Sequence, residues 1–213
     1  MPRSDYERFV EIAKRELPWG FAWLDRFNCQ SYEHAFGKII VTDRRVVEDV
    51  ERKLGRTLPQ GIFVDVFPLD GYPDSSFGRV FRKIQSRCWE VWPILATICF
   101  RLHLVQDGEA LRVLSHRKLA DLAEKRAKKY PFESTKLCVS IGVSRWFDDK
   151  PYLVKYFGRP RKVAFDRTRV PVQECVDGYL RTLYGDYMQL PPEDSRHPAH
   201  NGGIPKTWRL GPV

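Results

Sequence analysis

The chain of 213 residues is long enough for one domain with a small appendage and too short for a multidomain assembly. Its 36 Lys and Arg outnumber 27 Asp and Glu, and the formal net charge of +9 favours anionic partners. With 43% hydrophobic and 13% aromatic residues there is apolar material for a packed core, which excludes wholesale disorder.

Ser4 stands three residues before Glu7, the spacing of a capping box, and Tyr6, Phe9, Val10, Ala13 and Leu17 recur at helical intervals up to Pro18. This pattern predicts a helix over 5–17. Residues 35–42 (AFGKIIVT) predict a strand, and 43–54 a short charged helix or loop. Residues 61–67 (GIFVDVF), dense in β-branched and aromatic side chains and closed by Pro68 and Asp70-Gly71, predict the strongest strand of the chain. Side chains alternate along a strand, so Ile62, Val64 and Val66 face one way while Phe63, Asp65 and Phe67 face the other. A carboxylate set between two Phe meets a metal, a cation or backbone donors, or opens on a cleft; a structural salt bridge explains it equally well. Asp70 reads as a turn residue before Gly71.

Residues 75–105 predict a helix interrupted near Pro93, with Arg79, Arg82, Lys83 and Arg87 in its first half. The apolar run 88–100 carries Glu90 and Pro93, falls short of the roughly 20 apolar residues of a membrane-spanning helix, and predicts a core helix in preference to a membrane contact. A second helix over 109–130 has Leu111, Leu114, Leu119, Leu122 and Ala123 on one side. Arg112, Arg117, Lys118, Lys125, Arg126, Lys128 and Lys129 form a solvated row on the other. A short strand follows at 137–143, then a loop with Trp146, Phe147, Asp148 and Asp149, and a Gly/Arg/Pro-rich connection near 158–161. Val176, Tyr179, Leu180, Leu183 and Tyr184 mark a last helix ending at Gly185. Strands mixed with helices indicate an α/β or α+β domain.

The five cysteines, Cys29, Cys88, Cys99, Cys138 and Cys175, form no Cys-x-x-Cys pair and predict reduced, mostly buried thiols. The first residues carry Arg3, Asp5, Glu7 and Arg8 where a cleavable signal needs an apolar segment, so the expected location is cytoplasmic. Gly-rich phosphate loops, Gly-x-Ser-x-Gly elbows and His-Glu-x-x-His motifs are all missing from the sequence.

Four segments together resemble the LicD/fukutin-type phosphotransferases, a branch of the nucleotidyltransferase-like superfamily. They are MPRSDYERFVEIAKRELP at 1–18, AFGKI at 35–39, GIFVDVFPLDGYPD at 61–74 and YLRTLYGDYMQLPPEDSRHPAH at 179–200. The resemblance implies a nucleotidyltransferase-like mixed sheet flanked by helices, one domain over 1–200 and a tail over 201–213. It implies transfer of phosphocholine or a polyol phosphate from a CDP-activated donor to a glycan or lipid-linked glycan such as teichoic acid or lipopolysaccharide. Mg²⁺ or another divalent cation would lie between donor phosphates and carboxylates, with Asp65 as catalytic and metal-binding residue. Lys38, Arg196, His197 and His200 match positions that contact substrate. Tyr184, Gly185, Asp186 and Tyr187 are expected to fix the end of the last helix.

Members of the family carry a Trp-Asp-Asp-Asp-Ile-Asp run just before the segment matched by MPRSDYERF, and this sequence does not include it. The expectation is therefore an N-terminally truncated domain whose 213 residues alone turn over little or no donor. The alternative is a non-catalytic basic module that binds anionic glycan, nucleic acid or a membrane surface through rows 79–87 and 112–129. Nucleic acid is disfavoured because the aromatics sit in apolar runs, not interleaved with Lys and Arg. An anionic donor and a peripheral contact with the cytoplasmic membrane face account for the charge equally well.

Overall fold

A computed structural model describes residues 1–42, 62–101, 108–140, 150–190 and 192–196. The expected segment 43–54, the end of the 137–143 strand, the 146–149 loop, His197, His200 and the tail lie outside the described residues.

Helix α1 (Arg3–Glu16) begins two residues earlier than its capping box implies. Pro2 is the N-cap, and Ser4 Oγ donates to Glu133 at 3.2 Å rather than closing on its own helix. The helix ends because Leu17 precedes Pro18, which drives the preceding residue into extended backbone (φ −61°, ψ 136°). Its inner face sets Tyr6 and Phe9 edge-on against Trp23, with ring centroids 6.1 and 5.8 Å away.

Trp23 belongs to β1 (Phe21–Leu24), which pairs antiparallel with β2 (Gly37–Val41), and β2 pairs antiparallel with β3 (Phe63–Val66). The side of this sheet carrying Trp23, Ile39 and Val66 packs on α1. Gly37 is required where β2 passes under the Trp23 ring, because a Cβ there would fall 2.1 Å from Trp23 Cζ2.

A second sheet has the order β4 (Leu69–Tyr72), β5 (Leu137–Ser140), β6 (Tyr152–Leu153), all antiparallel. Every residue of β4 is buried. Leu69, Phe132, Cys138 and Tyr152 form its core, against which Tyr179 and Leu183 of α4 (Val176–Tyr184) pack. Burial pushes the Cys138 thiol up to about 12. Among the described cysteines Cys138 is the buried one, Cys29 and Cys175 are half-buried and Cys88 is exposed, which corrects the expectation of mostly buried thiols. The end of α4 is as the sequence indicates, with Gly185 at φ +72°.

In the chain between β4 and β5, α2 (Ser76–Arg101) runs unbroken through Pro93 and packs against α3 (Gly108–Ala127). The Gly/Arg/Pro-rich connection leads into a hairpin that the sequence reading missed, β7 (Arg161–Phe165) with β8 (Thr168–Val172). Its side chains are mostly exposed, and the alternation of Val163 with Phe165 and of Val170 with Val172 is too short to mark a core strand. The fold is α+β, with the described strands shared among three small antiparallel sheets.

Two charged positions are corrected. Asp70 is no turn residue: it lies fully buried in β4, and Arg3 donates to both its carboxylate oxygens at 2.8 and 2.5 Å. Arg126 is not on a solvated row. It is buried against α2, where it donates to Gln85 Oε1 at 2.9 Å, and burial together with the Arg82 charge pulls its pKa down to about 10. The Arg3–Asp70 pair extends to Glu124 of α3, 3.7 Å from Arg3, which also accepts from Arg26 and Lys128. Burial acts to raise the Glu124 pKa, but Arg26, Lys128 and Arg3 outweigh it and hold the carboxyl below its ordinary 4.5.

Three outcomes are expected. Asp70→Asn, which strands a buried guanidinium, lowers stability by about 3–5 kcal/mol in urea unfolding, and the double change Arg3→Met/Asp70→Leu recovers a large part. Gly37→Ala costs about 1–3 kcal/mol through overpacking against Trp23. The Glu124 contribution is present above the ordinary carboxylate pKa of 4.5 and is lost as pH falls through the depressed folded value. The stability gap between the native chain and Glu124→Gln therefore stays constant near neutrality and narrows in acid.

Candidate functional site

Lys38 and Asp65 are direct cross-strand partners in β2 and β3. Paired residues point to the same face of a sheet, so both lie on the side turned away from α1, together with Leu24, Ile40 and Phe63. That is the face on which alternation placed Asp65. The burial is reversed from expectation, since the lysine is the embedded partner at 9% side-chain exposure and the carboxylate the more open one at 29%.

The Lys38 ammonium rests 3.8 Å from the centroid of the Phe63 ring and 5.7 Å from that of Tyr32. Both are cation–π contacts in a setting that strengthens them by excluding water. Asp65 Oδ1 is 3.6 Å away, close enough for an ion pair and too far for a hydrogen bond. Among the described residues Lys38 Nζ therefore has charge partners but donates no hydrogen bond. An ammonium has three N–H donors, and one held this way is suited to an oxyanion that brings acceptors with it.

Beside the pair, residues 32–36 add groups that sequence reading passed over. Tyr32 meets His34 edge-on at 5.1 Å, His34 stacks on Phe36 at 5.0 Å, and Phe36 lies 4.5 Å from Phe67. Glu33 is buried, with Oε2 3.8 Å from His116 Nδ1 on α3. The available signal was the density of Tyr, Glu and His in SYEHAFGK directly before the strand; the partner His116 is not legible, because it comes from a distant helix.

Among the described residues the pair does not by itself make a divalent-cation site. Mg²⁺ requires near-octahedral oxygen ligation, while the described residues contain no group of three His, Cys, Asp or Glu placed to hold a metal. The charge facing Asp65 is an ammonium, which competes with any cation for the carboxylate. Arg196 follows the short 3₁₀ turn Glu193–Ser195 and is exposed, with Nη1 3.9 Å from Glu193 Oε1. A cavity of about 200 Å³ between α1 and α3 is lined by Lys14, Asp25, Arg26, Glu124 and Lys128. Its charges already compensate one another, and Asp25 accepts from Trp23 Nε1 and from the backbone N–H groups of Phe27 and Asn28, so it belongs to the architecture.

No protein-family model matches the chain, and no solved structure matches it. Among curated proteins it is 26% identical over 220 residues to the lipopolysaccharide cholinephosphotransferase LicD of Haemophilus influenzae, an alignment that covers 94% of this chain and 76% of that protein. The similarity supports membership of the LicD family, in line with the four motifs.

The asymmetry of the Lys38–Asp65 pair sets an order of sensitivities. Asp65→Asn leaves an embedded ammonium without its counter-charge and is expected to cost about 1–3 kcal/mol in urea unfolding. Lys38→Met is expected to cost less, because the more open carboxylate rehydrates; the opposite order would place the lysine head in solvent.

Proposed function

We propose that this chain is built for LicD-type phosphotransfer, the passage of phosphocholine or a polyol phosphate from a CDP-activated donor to a hydroxyl of a cell-surface glycan, and that its described residues supply the donor-binding part of that reaction, with low turnover expected of these 213 residues alone. Lipopolysaccharide, teichoic acid or a lipid-linked precursor is the acceptor class. Similarity over 94% of the chain to a cholinephosphotransferase acting on lipopolysaccharide supports the reaction class. The observation that carries the donor assignment is the Lys38 ammonium, embedded on two rings with no hydrogen bond from Nζ to a described residue.

In this reading the acceptor hydroxyl oxygen bonds to the phosphorus bearing the choline or polyol. The bond from that phosphorus to the bridging oxygen breaks, CMP leaves with the electron pair, and the hydroxyl proton passes to a base. Lys38 neutralises charge on the diphosphate oxygens, an electrostatic and positioning role of the kind that dominates phosphoryl transfer. Asp65 orients Lys38 and, as the more open partner, is the carboxylate assigned to take the proton. Residues 1–200 make up the LicD-type domain in a nucleotidyltransferase-like arrangement, and 201–213 a tail. Arg196, His197 and His200 are assigned to the substrate side on the strength of the motif match alone.

The test separates binding from turnover. Titration of the chain with CDP-choline, followed by calorimetry and by ³¹P resonance shifts, is expected to show binding that weakens at least tenfold in Lys38→Met. Asp65→Asn is expected to retain donor and to lose CMP release in the presence of glycan acceptor. Absence of binding to CDP-choline and to CDP-polyols, or binding indifferent to Lys38→Met, would leave a non-catalytic basic module as the better reading.

A further inference from the structure

Helix α2 carries a bare apolar stripe. Phe77, Phe81, Ile84, Val91, Leu95 and Ile98 recur at helical spacing, with exposed Cys88 filling the gap, and their exposures run from 46% for Ile98 to 82% for Phe77. At 1.5 Å rise per residue the stripe is roughly 32 Å long. Such a stripe ordinarily faces a core. Here the neighbouring helix α3 is met by the opposite side, on which Arg82 is buried against Tyr72 and receives Arg126. A continuous exposed apolar surface of this size marks an interaction site.

Charge identifies what it meets. A cavity of about 350 Å³ runs beside the stripe between α2 and α3, lined by Phe77, Phe81 and Leu122 and by the exposed Lys125 and Lys129. The lining contains no Asp or Glu. Lys83 is exposed on the other flank of α2. A second copy joined through this face by a two-fold axis would oppose like charges, since such an interface uses the same patch twice. Apolar residues flanked by cations instead match the interface of an anionic bilayer, where acyl chains take the rings and lipid phosphates the ammonium groups. None of the helices among the described residues is long and apolar enough to cross a membrane.

We propose that α2 docks the protein flat on an anionic phospholipid surface, with Phe77, Phe81 and Ile84 in the acyl boundary and Lys125 and Lys129 on lipid phosphates. The inference is independent of the transfer reaction, because vesicle binding is read without donor or acceptor. Flotation with vesicles of phosphatidylglycerol and phosphatidylethanolamine is expected to carry the chain at low salt and to release it at high salt, whereas pure phosphatidylcholine vesicles carry little. Ile84→Glu/Leu95→Glu and, separately, Lys125→Glu/Lys129→Glu are expected to reduce partitioning at least tenfold with unchanged circular dichroism. Failure to float with phosphatidylglycerol vesicles would overturn the proposal, as would flotation unaffected by either pair of changes. A lipid-free dimer that Ile84→Glu/Leu95→Glu dissociates, without vesicle binding, would overturn it in favour of self-association.

Discussion

The ion pair between Arg3 and Asp70 is the constraint on which the rest of the structure depends. A fully buried carboxylate is costly unless its charge and both oxygens are satisfied, and Arg3 satisfies them with two hydrogen bonds. The arrangement pins the first turn of α1 to β4, beside the backbone bond from Leu69 N–H to the Met1 carbonyl. Glu124 brings α3 into the same network through Arg3, Arg26 and Lys128. With α1 fixed, Tyr6 and Phe9 press on Trp23 and set the position of the β1–β2–β3 sheet, on whose far face Lys38 and Asp65 meet. The functional pair is thus held from behind by a packed aromatic layer and, through α1, by a buried charge pair in the neighbouring sheet.

Much of this was legible from residue patterns, for identifiable reasons. Periodicity found α1, β2, β3 and α4 because each carries a one-sided apolar pattern, and alternation assigned Asp65 to its face. What failed involved long-range compensation. Asp70 beside a glycine has the local look of a turn, and only the fold brings Arg3 across to bury it. Arg126 looks like one of a row of surface cations, but the row wraps around α3 and this member points inward to Gln85. Pro93 breaks no helix: it lacks one backbone N–H donor, and α2 continues on both sides. The β7–β8 hairpin carries Val163, Phe165, Val170 and Val172 on one face, but its strands are only five residues long, mostly exposed and interrupted by Pro171, so the periodic signal is weak.

The site was partly legible. Asp65 and Lys38 were singled out separately, the first from a buried-looking carboxylate and the second from motif similarity, and their pairing emerges only from strand register. That pairing changes the chemistry open to Asp65. Among the described residues the charge facing it is an ammonium, which is the arrangement the proposed anion-binding role uses. The aromatic and histidine side chains of residues 32–36 supply the low-polarity wall that makes the lysine effective.

The central claim is that the donor diphosphate sits on Lys38, and a crystal structure of the chain soaked with CDP-choline tests it most directly. The account predicts a diphosphate oxygen within hydrogen-bond distance of Lys38 Nζ, with the choline-bearing phosphorus on the Asp65 side. CDP-choline bound elsewhere on the chain, with the Lys38–Asp65 pair undisturbed, would contradict it.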